Sequence, residues 1–413
     1  MMQDDVAVQN GKAAPSYPMR RGCPVDPPPQ LAELRAGPAA SRVTLWDGSE
    51  VWLVTAHAHV RAVLGDRRFT AVTSAPGFPM MTPTSQLVRA QPKSASFIRM
   101  DDPDHSRLRS MLTREFLQRR ADEMRPMLRE MLDEILSGLV SAERPEGGPV
   151  DLVANLTIPV PSRVIAAMFG IPAGERGLME DRSAILIDRG YTPEQVGAAR
   201  DELDAFLREL VESRIREPGD DLISRLVVDQ VRKGTLDIDE MVPMCRLLLV
   251  AGHGTTTSQA GLSLLSLVTD KNLATALREE PELLPAAVEE LLRFHSIVQN
   301  GLARAATEDV QLGDVVIRAG EGVVLSLSAG NRDEQLFPSP DTLDPHRDAR
   351  RHLAFGHGIH QCLGQWLAKA EIEEMLAAVL RWMPGVRLAV PFEELEFRHE
   401  VSSYGLGSLP VTW

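Results

Sequence analysis

A glycine-rich stretch around one cysteine constrains this chain more than any other feature. Residues 355–364 read Phe-Gly-His-Gly-Ile-His-Gln-Cys-Leu-Gly, and an apolar helical pattern follows directly. The unpaired N–H groups and positive end of that helix stabilise the Cys362 thiolate, so Cys362 can serve as an anionic metal ligand. Gly356, Gly358 and Gly364 let the backbone pass close to a flat ligand and turn N–H groups toward the sulfur.

A second motif lies in an apolar helix that we expect to run from near Pro243 to about Val268. Residues 252–257 read Gly-His-Gly-Thr-Thr-Thr, so five of these six residues are glycine or threonine. Each such residue costs up to about 1 kcal/mol in a helix relative to alanine. A requirement other than helix formation therefore accounts for them.

Together the two stretches resemble the signature segments of cytochromes P450. The first matches the family's haem-binding sequence, Phe-Gly-x-Gly-x-(His/Arg)-x-Cys-x-Gly, at every fixed position, and the second resembles its oxygen-binding helix, Ala-Gly-x-(Asp/Glu)-Thr-Thr. The resemblance spans about residues 30–413 and is greatest to bacterial enzymes that tailor natural products. It implies haem b (heme b) as cofactor, Cys362 as axial iron ligand, Phe355 and Ala251 at the haem, and activation of dioxygen.

The oxygen-binding helix departs from the family pattern at one position. Gly254 stands where the family usually has an acid, and Thr255 takes the place of the threonine that relays protons. Proton delivery would then depend on Thr255, ordered water or a substrate group. His253 is a candidate substitute acid, but adjacent helical residues point about 100° apart, and packing is its expected role.

Haem carboxylates need cationic or hydrogen-bond-donating partners. His105 and Arg109 lie four residues apart in a segment that resembles the family's propionate-binding helix. Arg304 and His360 match the family's other two propionate contacts. The resemblance therefore implies four side chains around the haem carboxylates.

Glu290 and Arg293 lie three residues apart on a predicted helix and therefore share one face. Alone, such a pair usually lies on a solvated surface. The family has a Glu-x-x-Arg pair upstream of the cysteine, joined by a further arginine that Arg347 matches. The resemblance thus implies a structural ion network behind the haem rather than a catalytic group.

Family position also implies the substrate contacts. They are Val250, Ile297, Val298, Asn300, Leu302 and Tyr404. Loop 74–98 is rich in Pro, Met and Thr and is expected to form a mobile lid over an apolar site. We expect a medium-to-large, mainly apolar substrate that is hydroxylated or epoxidised in secondary metabolism, such as antibiotic biosynthesis.

The rest of the chain predicts a mostly α fold with a smaller β lobe, the haem lying between the long central helix and the cysteine-bearing loop. Apolar residues recur at three- and four-residue steps through 104–300. Asp47-Gly48 predicts a tight hairpin turn, and so does Gly313-Asp314, with 322–325 extending the second hairpin. No repeat or linker divides the chain, so we expect an extended arm, 1–30, and one catalytic domain, 31–413.

Charge and cysteine content restrict the kinds of partner and the cellular compartment that we expect. The net charge of −14 argues against a nucleic-acid binder. The three cysteines, Cys23, Cys245 and Cys362, are widely spaced and fit a reducing cytoplasm. The first thirty residues have neither the apolar core of a signal peptide nor anything near the roughly 20 apolar residues of a bilayer span. The sequence also lacks a flavin or nicotinamide fingerprint, so we expect a cytoplasmic monomer served by a ferredoxin and an NAD(P)H-dependent ferredoxin reductase.

Two alternatives remain open from the sequence. Gly254 allows an atypical haem-thiolate enzyme that reduces nitric oxide or couples substrates oxidatively, since nitric-oxide-reducing members of the family also lack the acid. A gas sensor would use haem for detection alone. Thr255 and the lid-like loop argue against the sensor, because both serve turnover.

Overall fold

The computed structural model describes residues 14–83, 96–141, 148–188, 190–399 and 403–413. Helices dominate these ranges, so the predicted mostly α fold with a smaller β lobe is confirmed. None of the described helices is long and apolar enough to cross a bilayer. The helices are α1 (Gln30–Arg35), α2 (His57–Gly65), α3 (Asp104–Thr113), α4 (Gln118–Ser141), α5 (Pro159–Phe169), α6 (Arg176–Ile187), α7 (Pro193–Arg216), α8 (Leu222–Asp229), α9 (Ile238–Thr269), α10 (Lys271–Glu279), α11 (Leu284–His295), α12 (Leu327–Gly330) and α13 (Gln365–Trp382).

The strands are short and form four sheets within the described residues. The strands are β1 (Ser41–Thr44), β2 (Glu50–Val54), β3 (Phe69–Thr70), β4 (Val150–Asp151), β5 (Leu302–Ala306), β6 (Val310–Leu312), β7 (Val315–Ile317), β8 (Gly322–Leu325), β9 (Arg387–Leu388), β10 (Phe397–Arg398), β11 (Gly405–Leu406) and β12 (Pro410–Thr412). A five-stranded sheet has the order β1-β2-β8-β5-β3, and smaller sheets join β6 to β7, β10 to β11, and β4 to β12 to β9.

The five-stranded sheet begins with a hairpin that the sequence predicted. β1 and β2 run antiparallel with Val43 opposite Val51, and Gly48 in the turn has a φ of 82°. β8 pairs with β2 in parallel and with β5 in antiparallel fashion. The expectation that 322–325 extends the second hairpin was wrong. All four residues of β8 are buried, and an apolar run of this kind is covered on both faces only inside the larger sheet.

The central helix, α9, contains 32 residues, a length of about 48 Å at 1.5 Å per residue. It packs against α5, α6, α7, α11 and α13, which explains an apolar surface on all sides. A start near Pro243 was wrong because a capping box begins the helix earlier. The Asp237 carboxylate accepts from the Glu240 N–H at 2.7 Å, while the Glu240 side chain accepts from the Asp237 N–H.

The helix after the cysteine is held by a leucine stripe on α4. Leu128, Leu132 and Leu136 recur every four residues, are fully buried, and belong to the same core cluster as Leu367 and Leu376 of α13. This spacing places all three leucines on one face of α4. The stripe therefore fixes α13, and with it the loop that carries the cysteine.

Candidate active site

The Cys loop, residues 355–364, has a fixed backbone shape. The Cys362 N–H donates to the Phe355 carbonyl at 2.8 Å, closing the loop at its base. Gly356 and Gly358 have φ values of 70° and 75°, which glycine adopts without strain. A Cβ at Gly358 would lie 2.4 Å from the Leu64 carbonyl oxygen, so glycine is required there for space as well.

The Cys362 side chain is surrounded by protein but not covered by it. Burial raises the pKa of its thiol, while a hydrogen bond from the Gly364 N–H and the charge of Arg109 act in the opposite direction. The side chain is nevertheless exposed. A deeply placed yet exposed side chain faces an interior cavity. The Arg109 guanidinium also donates to the Gln361 carbonyl at 2.6 Å, which ties α3 to the Cys loop.

Exposed residues in a buried setting also occur at the centre of α9. Ala251 and Thr255 are the exposed residues of 241–268, and they lie one turn apart on one face of the helix. The Thr255 hydroxyl donates to the Ala251 carbonyl. Leu247, one turn before Ala251, packs in the same hydrophobic cluster as Leu363 of the Cys loop. The exposed face of α9 and the loop that carries Cys362 therefore border the same core cluster.

The structure does not bring His253 to this face. The His253 side chain is buried beside the Ile158 carbonyl and the Glu180 carboxylate, and burial lowers the pKa of its imidazole. The neighbouring Gly252 is also explained by packing, since a Cβ there would lie 2.7 Å from Ile165 Cδ1. This flank of α9 thus packs against α5 and α6, as expected for His253 in a packing role.

Two predicted haem contacts meet at the edge of the site. The rings of His105 and His360 have centroids 4.2 Å apart, and Phe97 packs against His105 at 6.0 Å. Neither nitrogen of the His360 ring has a hydrogen-bond partner among the described residues, and neither has His105 Nε2, although these atoms are buried; His105 Nδ1 lies 3.7 Å from Asp102 Oδ1. Such groups are costly to leave unpaired and are suited to an added acceptor.

Arg99, Arg109 and Arg304 lie near these two histidines, and the five residues are called the cationic cluster. Burial lowers the pKa of His360 to about 3, and the charge of Arg304 adds to this effect. Arg304 is 6% exposed, and burial together with the charge of Arg99 lowers its pKa to about 10. Arg109 and Arg99 also act on His360. The sequence analysis did not predict Arg99 as part of this cluster. Its position six residues before His105 could have indicated it. The cluster fits a dicarboxylate such as the propionates of haem.

Glu290, Arg293 and Arg347 form a buried ion network. Arg293 donates two hydrogen bonds to the Glu290 carboxylate, at 2.6 and 2.7 Å, and both side chains are 0% exposed. Arg347 donates to the same carboxylate at 3.1 Å. Arg293 further donates to the carbonyls of Asn331 and Pro340, both at 2.8 Å. The network fixes α11 to the chain that leads into the Cys loop.

The predicted substrate contacts lie on two paired segments and on α9. The Tyr404 N–H donates to the Ile297 carbonyl at 2.8 Å, and Val298 and Leu302 are partly buried nearby in the chain. Asn300 is buried, and Val250 lies on α9. Residues 84–95 of the expected lid lie outside the described residues.

Tyr404 differs from the expectation of a substrate contact. It is 1% exposed and lies in parallel against Phe397, with ring centroids 5.9 Å apart. The guanidinium of Arg21 lies 4.1 Å from the centre of the same ring. The Tyr404 ring is therefore covered by protein rather than open to a ligand.

A cysteine loop and a threonine-bearing helix that border one core cluster, beside a cationic cluster, are the arrangement expected of a haem-thiolate protein. A family model described as cytochrome P450 matches residues 189–382. Cytochrome P450-SU2 of Streptomyces griseolus is 45% identical over 393 residues, 95% of each chain. Pentalenic acid synthase of Streptomyces avermitilis is 43% identical over 398 residues, 96% of this chain and 97% of that one.

A solved structure agrees with these relatives. The mycinamicin VIII C21 methyl hydroxylase MycCI of Micromonospora griseorubida, bound to mycinamicin VIII, has a TM-score of 0.90 at 38% identity and covers 97% of this chain and 100% of its own. The chain belongs to the cytochrome P450 family. It is an oxidoreductase, a haem monooxygenase with cysteine thiolate ligation, and it acts on a small molecule with electrons from redox partners. The expected family, enzyme class and cofactor are confirmed.

Proposed function

We propose that this protein hydroxylates or epoxidises a medium-to-large, mainly apolar small molecule in secondary metabolism. The observation that carries the proposal is that Cys362 and the Ala251 and Thr255 face of α9 are exposed inside a buried setting. The names of two relatives, a pentalenic acid synthase and a mycinamicin hydroxylase, support a natural-product substrate.

Cys362 is the residue proposed to bind the haem iron. Of the three cysteines, Cys245 is fully buried in the hydrophobic core and Cys23 lies outside the Cys loop, whereas Cys362 combines a Gly364 N–H hydrogen bond with an exposed side chain. When bound, haem supplies the activation of dioxygen, which a thiolate ligand favours.

The cationic cluster is the proposed site of the haem carboxylates. His105, Arg109, Arg304 and His360 would hold them, as the sequence implied, and Arg99 joins the set. His105 Nε2 and both His360 nitrogens, which have no hydrogen-bond partner among the described residues, and the buried charge of Arg304 support this assignment, because an anion would satisfy them.

Thr255 is the proposed proton relay. Its hydroxyl lies on the exposed face of α9 and donates to the Ala251 carbonyl, which leaves the oxygen lone pairs free to accept a proton. The hydroxyl can pass on its own proton once it turns away from that carbonyl. Gly254 supplies no carboxylate, and His253 is buried on another flank. The proton must therefore reach Thr255 from water or from a polar group of the substrate.

The proposal extends to the setting of the enzyme. We propose that a ferredoxin and its NAD(P)H-dependent reductase supply the electrons, and that the protein is a cytoplasmic monomer. The unit that folds and acts is one catalytic domain, 31–413, preceded by the arm 1–30. The negative net charge of −14 supports the absence of nucleic acid among its partners.

Turnover with labelled dioxygen tests the proposed reaction. Holoenzyme with NADPH, a ferredoxin and its reductase is incubated with a panel of medium-to-large apolar compounds that includes mycinamicin VIII. We expect mass spectrometry to find one labelled oxygen atom in a product. A panel that gives no labelled product, together with nitric oxide consumption driven by NADH alone, would overturn the proposal in favour of nitric-oxide reduction.

A further inference from the structure

We propose that Arg21, in the N-terminal arm, is a positioning residue for the substrate-side wall of the active site. It fastens the arm to segment 297–301 and segment 403–405, and so sets the shape of the space beside Thr255. The inference rests on the proposed function, because Ile297, Val298 and Asn300, which family position implies as substrate contacts, put these segments in the wall of a substrate site.

The Arg21 guanidinium contacts three parts of the chain at once. Its Nε donates to Gln299 Oε1 at 3.3 Å, and its Nη1 donates to the Asp26 carbonyl at 2.9 Å. Its Cζ lies 4.1 Å from the centre of the Tyr404 ring. A planar guanidinium over a ring combines a cation–π attraction with close packing, which an ammonium group matches less well.

The two fastened segments are joined to each other. Besides the 2.8 Å hydrogen bond from the Tyr404 N–H to the Ile297 carbonyl, Gln299 donates through its side-chain amide to the His399 carbonyl at 3.1 Å. The Gln299 amide thus has Arg21 on its oxygen and His399 on its nitrogen. A shift of Arg21 would disturb both segments together.

The segments also reach the catalytic face. The Ser258 hydroxyl, one turn beyond Thr255 on α9, donates to the Ser403 carbonyl at 3.2 Å. A Cβ on Gly405 would lie 2.9 Å from Ser258 Oγ, so the chain passes directly against α9. At the other segment, Leu302 follows 297–301 and its Cδ1 lies 3.8 Å from the position of a Cβ on Gly356 in the Cys loop.

The Tyr404 ring depends on Arg21 for one of its faces. Phe397 lies parallel to it at an interplanar angle of 10°, and His399 packs at 5.4 Å. Replacing Arg21 by alanine removes the guanidinium and leaves Gln299 Oε1 without this donor. We expect the paired segments to gain freedom, and small displacements of a site wall change how well a bulky ligand fits.

Two azole probes of different size test the proposal by equilibrium titration of the haem Soret band. Imidazole reads the iron alone, whereas econazole also fills the space bounded by the walls. In Arg21→Ala holoenzyme we expect econazole to bind about tenfold more weakly and imidazole as in wild type. Arg21→Lys, which keeps the charge, should lose about threefold. The exposed neighbour provides the control, and Arg20→Ala should bind both azoles normally.

If the arm contributes only to the stability of the fold, the titrations give a different result. Equal weakening of both azoles, or a lower melting temperature with unchanged econazole binding, would overturn the proposal. The red-shifted carbon monoxide band of wild type reports separately on the proposed function, since its absence would refute thiolate ligation whatever Arg21 does.

Discussion

Arg293→Ala is expected to prevent the accumulation of folded holoenzyme. The substitution leaves the Glu290 carboxylate, which is 0% exposed, without the two hydrogen bonds and the charge that Arg293 supplies. Breaking a buried pair in this way costs about 3–5 kcal/mol. That loss is a large part of the roughly 5–15 kcal/mol by which proteins are stable.

An exposed pair with the same sequence spacing is the matched control. Arg120 and Glu123 are also three residues apart, with 2.6 Å between their charged atoms, but their side chains are 37% and 45% exposed. Arg120→Ala should cost less than about 1 kcal/mol. Haem content per protein and the free energy of unfolding are measured for both variants and for wild type. An Arg293→Ala protein within about 1 kcal/mol of wild type would contradict a structural role for the network.

Thr255→Ala is expected to uncouple electron consumption from product formation. The fraction of NADPH electrons recovered in product should fall at least about tenfold, because positioned proton transfer contributes roughly 10²–10⁴-fold. Gly254 has no side-chain carboxylate, and His253 is buried beside Glu180. Neither of these two residues can therefore replace the lost hydroxyl. The measurement compares product with NADPH oxidised.

Two variants on the same helix sharpen this test. Thr257→Ala removes a hydroxyl that donates to the Thr157 carbonyl at 2.9 Å, and it should leave coupling unchanged. Gly254→Glu adds the missing carboxylate next to Thr255 and should raise the product formed per NADPH. Unchanged coupling in Thr255→Ala would remove Thr255 from the proton path.

The sequence predicted the parts of the site that depend on local chemistry. A cysteine before a helix and glycines at positions of positive φ are visible in residues 355–364, and Glu290 and Arg293 share a helix face at any tertiary position. The start of α9 was also present as Asp237 and Glu240, whose capping box outweighs the boundary that Pro243 suggests.

Other features depend on contacts between distant segments. Strand β8 reads like a third strand of the nearby hairpin, yet its burial on both faces is settled by β2 and β5. The covering of Tyr404 by Arg21 joins residues 383 positions apart, and the charge of Arg99 acts on Arg304, 205 positions further along the chain. No local propensity encodes such pairs.

The absorption spectrum of the reduced, carbon monoxide-bound protein tests the central claim most directly. Wild type is compared with Cys362→His, which offers an imidazole in place of the thiolate. We predict a strongly red-shifted Soret band in wild type that is lost in the variant. A wild-type band at the ordinary imidazole position, or a red-shifted band that survives in Cys362→His, would contradict Cys362 as the iron ligand.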